Sequence, residues 1–304
     1  AFVSVMTHRK HKAVDTNILK TYGLFVIFGV LLGTYMAALL NTKSLVLFFA
    51  VFIATSSNAV VKRHDIPSRN YVLEKVPEYL IDLPHEGHGV LIKPQWVVTV
   101  AHTIFYNYIG KKLRVGDKVF EIEEVHIHPL YIEPGEVLFK GDAAPLMKFL
   151  ESRSDIALIK LSSPVTTSEP IDIYPNIDQA GKEITVFGRG ATGNGEIGEN
   201  LETKSLRELN HFRNIIESSK GNWLSYKFNK PPDALPLEGM HAAGDSGGAS
   251  VIIENGKAYL VGLSSWQVWR GDIANFKGGL YGTTAYQVRV SNYRGWIESV
   301  LGNS

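Results

Sequence analysis

The sequence predicts an all-β protein, built as two consecutive β units and closed by a C-terminal helix. Three observations carry this. First, from Val60 onward the chain is a succession of short apolar runs rich in β-branched residues, separated by Gly, Pro and charged turns. One set comprises Gly89–Ile92, Trp96–Val100, Lys118–Ile127 and Ile156–Leu161. The other comprises Ile184–Phe187, Ala249–Ile253, Ala258–Leu263 and Leu280–Val290. Second, the stretch from Ser162 to Gly181 carries Pro164, Pro170 and Pro175 among several Ser and Thr, and reads as a linker between the sets. The units are therefore expected over 60–178 and 179–304. Third, Tyr293, Trp296, Ile297, Val300 and Leu301 recur at helical spacing behind Ser291, a residue type that caps helices, and Gly302 ends the pattern.

Composition narrows the function classes. The chain has 304 residues, 45% hydrophobic and 20% charged, which fits a globular protein. A formal net charge of +1 gives no electrostatic case for nucleic acid as a partner. Cysteine is absent, which excludes a thiol nucleophile, a thiolate-bound zinc and any disulfide. Stability must come from core burial, which a unit pair of about 240 residues can supply.

The first 59 residues differ from the rest. A basic cluster, His8-Arg9-Lys10-His11-Lys12, precedes an uncharged stretch from Thr21 to Leu40. That stretch is about long enough to span a bilayer as a helix. Lys43 then opens a shorter apolar run, Leu45 to Ala54, followed by Ser56-Ser57-Asn58-Ala59. Basic start, apolar centre and small residues at Ser57 and Ala59 make the layout of a signal peptide. Met36 can open such a peptide; alternatively residues 18–55 form a two-segment membrane anchor, and a buried core helix is the third reading. The first two predict export, to a periplasmic or extracellular site.

Three short motifs carry chemistry. In Gly244-Asp245-Ser246-Gly247-Gly248, glycines on both sides of a serine permit close backbone approach to a substrate. The N–H groups of Gly244 and Ser246 can then converge as an oxyanion hole requires. A serine hydroxyl needs an adjacent base, and His102 ends the run Trp96-Val97-Val98-Thr99-Val100-Ala101-His102. A carboxylate must fix the imidazole tautomer, and Asp155 stands directly before Ile156-Ala157-Leu158-Ile159-Lys160-Leu161, where a desolvated charge needs a partner.

Together these motifs resemble the chymotrypsin/trypsin family of serine proteases, in the family's order of His, Asp and Ser. His128-Pro129-Leu130-Tyr131 resembles the segment before the family's Asp. Phe187-Gly188-Arg189-Gly190 resembles its Gly-Trp-Gly with Trp replaced, and Ser265-Trp266 its substrate-pairing strand. Arg289-Val290-Ser291-Asn292-Tyr293 with Trp296-Ile297 resembles its C-terminal signature. The resemblance covers about residues 60–304 and implies two six-stranded antiparallel Greek-key barrels with the site between them. It implies a serine endopeptidase acting on peptide or protein substrates, with no cofactor and no metal. Ser246 would be nucleophile, His102 general acid/base and Asp155 the orienting acid. Asp245 would pair with a freed N-terminus at Val60. Met240 would lie at the floor of the substrate pocket, with Ser265, Trp266 and Gln267 along its wall. The absence of an acid at Met240 implies no preference for Lys or Arg before the scissile bond. The competing reading is a catalytically inactive binding protein on the same fold.

Other signals are discounted. His126 and His128 lack a third metal ligand in the sequence. Glu121, Glu123 and Glu124 read as a solvated acidic face, and His85, His88 and His241 as rim residues. The insertion around Gly135–Leu150 reads as a surface loop beside the cleft.

Overall fold

A computed structural model describes residues 59–202 and 208–302. The two apolar runs expected to direct export lie outside the described residues. Among the described residues no helix is long and apolar enough to cross a membrane.

Seventeen strands and two α-helices are defined among these residues. In the first unit, β2 (Leu80–Asp82), β3 (His88–Lys93), β4 (Trp96–Thr99), β5 (Lys112–Val115), β6 (Lys118–Ile127) and β7 (Ala157–Leu161) form one antiparallel sheet. Its order is β2-β3-β4-β7-β6-β5. In the second unit the main sheet has seven strands, ordered β11-β8-β15-β16-β17-β13-β12. These are β8 (Glu183–Gly188), β11 (Asn210–Ile215), β12 (Ser218–Lys220), β13 (Trp223–Lys227), β15 (Ala249–Glu254), β16 (Lys257–Gln267) and β17 (Thr284–Arg289). A small sheet of β1 (Val60–Lys62), β9 (Thr192–Asn194), β10 (Gly198–Asn200) and β14 (Gly239–Met240) completes it. The two curled antiparallel sheets constitute a chymotrypsin-like fold, and the linker stretch from Ser162 to Gly181 contains no strand.

The apolar runs are continuous because both faces of the first sheet are buried. Along β3 and β4, Leu91 and Val97 point into the first unit's core with Phe120, Ile122 and Ile159. Val90, Trp96 and Val98 point the other way, into a second cluster with Leu158, Phe187, Val251, Leu263 and Trp266. That second cluster joins the two sheets. A strand packed on both faces reads as an unbroken apolar run instead of an alternating one. A third cluster under the second sheet holds Val60, Val61, Phe212, Tyr226 and Met240.

Two sequence expectations change. The segment Gly135–Leu150 is not a bare loop: it contains helix α1 (Ala144–Ser152), with Pro145 in its first turn and Leu146 and Leu150 buried. Helix α2 (Arg294–Gly302) begins later than expected. Ser291 lies in a preceding tight turn, and its hydroxyl accepts a hydrogen bond from Gln179 instead of capping the helix.

Candidate active site

β4 delivers His102. Val98 and Val100 are buried between the sheets, so the chain leaves the strand anchored on that face and turns tightly at Ala101–Thr103. Two hydroxyls hold the turn: Thr103 Oγ1 donates to Val100 O (2.7 Å) and Thr99 Oγ1 to His88 O (2.6 Å). β7 pairs antiparallel with β4, Val98 opposite Leu158 and Thr99 opposite Ala157. Extending that register two residues puts Asp155 across from Ala101, next to His102. Asp155 is fully buried; its Oδ2 lies 2.7 Å from His102 Nδ1, and its Oδ1 accepts the His102 backbone N–H at 2.9 Å.

Ser246 comes from the second unit, in the turn before β15. Gly244 (φ +88°) and Gly247 (φ +76°) occupy the left-handed region that favours glycine. A side chain at Gly247 would overlap His88 O and crowd Thr99 Oγ1, so the turn presses directly on the first unit. His88 N–H donates to Ser246 O at 2.7 Å, fixing the Ser246 backbone across the boundary between the sheets. His102 Nε2 then lies 2.8 Å from Ser246 Oγ. The N–H groups of Gly244 and Ser246 donate to no protein acceptor among the described residues, so both are available to a ligand.

Two more groups converge on Asp155. Ser265 Oγ donates to Oδ2 at 2.6 Å, and Arg153 Nη2 stands 3.3 Å from the same oxygen. Ser265 sits where a bulge interrupts the β16–β17 register between Ser264 and Trp266, a device that re-aims a side chain. Burial alone raises a carboxyl's pKa, but the His102 charge and its hydrogen bond, with Arg153 and Ser265, hold Asp155 well below the usual carboxylate range. Arg153 was missed at the sequence level; its nearness to Asp155 in the chain was the only signal. Ser265→Ala is expected to lower kcat about tenfold with KM little changed, since a bond to a charged group contributes about 1.5–3 kcal/mol. Steady-state kinetics on a peptide anilide check this; an unchanged kcat would remove Ser265 from the positioning of Asp155.

Asp245 points away from the cleft and is fully buried. Its carboxylate accepts N–H bonds from Gly190 (2.7 Å) and Ala242 (2.8 Å). This explains the Gly188-Arg189-Gly190 motif. A Cβ at Gly188 would overlap Asp245 Oδ1 and lie 2.8 Å from Val60 Cγ1, and one at Gly190 would overlap Ala243 O. Val60, at the start of β1, thus shares Asp245's immediate surroundings. Burial pushes the Asp245 carboxyl up to about 6, moderated by His88 and by the backbone donors.

A cleft beside Ser246 encloses about 450 Å³ and is lined by Ser246, Ser265, Trp266, Gln267, His241 and Ala243 on one side, with Leu146, Met147 and Leu150 of α1 on the other. Met240 is absent from that lining: it is fully buried in the second sheet's core, where Gly239–Met240 pairs with Val61–Lys62. The next residue, His241, takes the place beside the cleft. His88 and His241 are buried, not rim residues, because both lie inside sheet-to-turn packing. Burial and the His102 charge push His241 down to about 3, and its Nδ1 lies 3.0 Å from the Tyr226 hydroxyl. His126 bonds Glu124 (2.7 Å), Lys160 reaches Glu123 and Glu124, and His128 packs edge-on against Tyr293 and Trp296.

A hydroxyl, an imidazole and a buried carboxylate in one hydrogen-bonded line, at the junction of two curled β sheets, define the serine protease class of this fold. The family model for Trypsin matches residues 78–297, and the chain belongs to that family. Among curated proteins it is similar to vitamin K-dependent protein C of Rattus norvegicus, 28% identical over 228 residues. The same protein of Mus musculus is 27% identical over 228 residues. The aligned region is 70% of this chain but 46% of each relative, so the chain spans about half the length of the curated relatives it matches.

Proposed function

We propose that the protein is a serine endopeptidase that cuts peptide bonds through an acyl-enzyme on Ser246. The observation that carries this reading is the line Ser246 Oγ, His102 Nε2, His102 Nδ1 and Asp155 Oδ2, with gaps of 2.8 and 2.7 Å. His102 takes the hydroxyl proton as Ser246 attacks the carbonyl carbon, and returns it to the leaving amine. Asp155, kept ionised by its partners, holds the tautomer that leaves Nε2 free to accept and stabilises the imidazolium that forms. The N–H groups of Gly244 and Ser246 stabilise the oxyanion. Water then enters, His102 acts as base again, and the acid product leaves.

The same reading treats residues 1–59 as an export region removed ahead of Val60, with the new ammonium pairing with Asp245. The shared surroundings of Val60 and Asp245 at Gly188 support it. The test of function is direct. A fluorophosphonate probe should label Ser246 in the purified protein, and casein should be hydrolysed alongside a small ester. Labelling without casein cleavage would point to a serine esterase; no labelling would favour the inactive binding protein.

A further inference from the structure

We infer that this enzyme accepts only a small side chain directly before the scissile bond, and draws its selectivity from a bulky apolar side chain one to three residues further toward the substrate's N-terminus. The inference rests on the peptidase reading above and names its substrate class.

The first observation is Gln267, two residues beyond Ser265 and 8% exposed. Its Nε2 donates to His241 O at 2.7 Å, and its Oε1 accepts from Gly279 N–H at 2.7 Å. His241 belongs to the segment leading into Ser246, and Gly279 to the segment returning to β17. One amide side chain therefore bridges two walls beside the nucleophile. A long or aromatic substrate side chain must displace it and strand a buried carbonyl and a buried N–H. The methyl group of alanine displaces nothing.

The second observation is what the remaining cleft is made of. Phe139, Leu146 and Met147 of the inserted segment face Trp266, Ile273 and Phe276 of the second unit. The wall they form is fixed by backbone bonds between loops of the two units. Ala143 N–H donates to Gly271 O (2.9 Å) and Ile273 N–H to Gly141 O (2.8 Å). Phe139 is 53% exposed and Phe276 44%, so each has aromatic surface to cover with a ligand. The cleft continues directly to Ser246 and Ser265, so its occupant is the substrate's own chain on the acyl side.

Charge agrees. Among the described residues no Lys or Arg lines the cleft, and the one carboxylate that does, Glu199, already accepts the Ala243 N–H at 2.9 Å. An acidic substrate side chain would find no counter-charge there.

The test uses tetrapeptide anilides with the active protein. In one series the residue before the scissile bond is Ala, Val, Leu, Phe, Lys, Arg or Glu; in another, Phe, Leu, Gly or Asp occupies each of the three preceding positions. Alanyl substrates should exceed phenylalanyl and arginyl ones at least tenfold in kcat/KM. Phe or Leu at one preceding position should exceed Gly about tenfold. Gln267→Gly should raise the phenylalanyl-to-alanyl ratio about tenfold. Phe139→Ser with Phe276→Ser, both at exposed positions, should erase the advantage of Phe over Gly. A wild-type preference for Arg or Phe before the bond, or no ratio change in either variant, overturns the inference. Fluorophosphonate labelling of the same samples separates the cases. Labelled protein with the wrong preference refutes only the specificity, whereas unlabelled wild type refutes the peptidase reading and this inference with it.

Discussion

Ser246→Ala or His102→Ala is expected to lower kcat about 10⁶-fold, and the double variant no further, because groups that act as one unit lose their effect together. The physical reason is local. At neutral pH a serine hydroxyl is a weak nucleophile, and among the described residues the only imidazole within hydrogen-bond reach of Ser246 Oγ is that of His102, at 2.8 Å. Removing either leaves the oxyanion donors and the cleft, which sustain a small residual rate over water. Neither substitution should unfold the protein: His102 and Ser246 are both partly exposed. Circular dichroism should therefore be unchanged while turnover of an alanyl anilide falls to the background. A Ser246→Ala protein that kept more than a few per cent of wild-type turnover would place the nucleophile elsewhere.

The three site residues were legible because each sits at a place where chain geometry and chemistry coincide. His102 ends an apolar strand, Asp155 precedes another, and the two strands pair in a register that brings these ends together. That pairing is invisible in the sequence; only the order and type of the motifs pointed to it. Strand positions were legible for the same reason that they are stable, since runs buried on both faces are apolar throughout. What was not legible was tertiary. Helix α1 is only nine residues long, and it forms because Leu146 and Leu150 find cover against the cluster between the sheets. Met240 has the composition of a pocket residue and yet packs under β1, because its strand pairs with the segment that starts at Val60. A sequence offers no register for a two-residue strand, so the neighbouring His241 was passed over. Gln267 was expected along the pocket wall, but its two bonds depend on where His241 O and Gly279 N meet.

Asp245→Asn is expected to act in opposite directions on the chain before and after a cut ahead of Val60. With Ala59 and Val60 joined, the Asp245 carboxyl is fully buried and its pKa is raised from 3.8 to about 6. A carboxyl raised in this way favours folding below pH ~4, and that contribution is lost as pH rises through about 6. The two-unit difference corresponds to roughly 3 kcal/mol. Asparagine carries no charge but offers the Gly190 and Ala242 N–H groups one acceptor oxygen in place of two, so in the uncut chain its stability relative to Asp245 should rise as the pH goes from 4 to 8. The cut reverses the sign. Val60 has φ +52°, a region that a β-branched residue avoids because of the carbonyl before it. As the first residue it has no such carbonyl, so the strain disappears and an ammonium appears beside Asp245. In that form asparagine strands a buried cation, and breaking such a pair costs about 3–5 kcal/mol. The Gly244–Ser246 turn would lose its anchor, and kcat/KM should fall about 10³-fold. Denaturation at pH 4, 6 and 8 should be measured for the chain starting at Val60 and for one retaining residues 56–59, each with Asp or Asn at 245. N-terminal sequencing of the active protein should read Val-Val-Lys-Arg. Asparagine shifting both forms the same way, or an active protein that starts well beyond Val61, would sink the pairing of Val60 with Asp245.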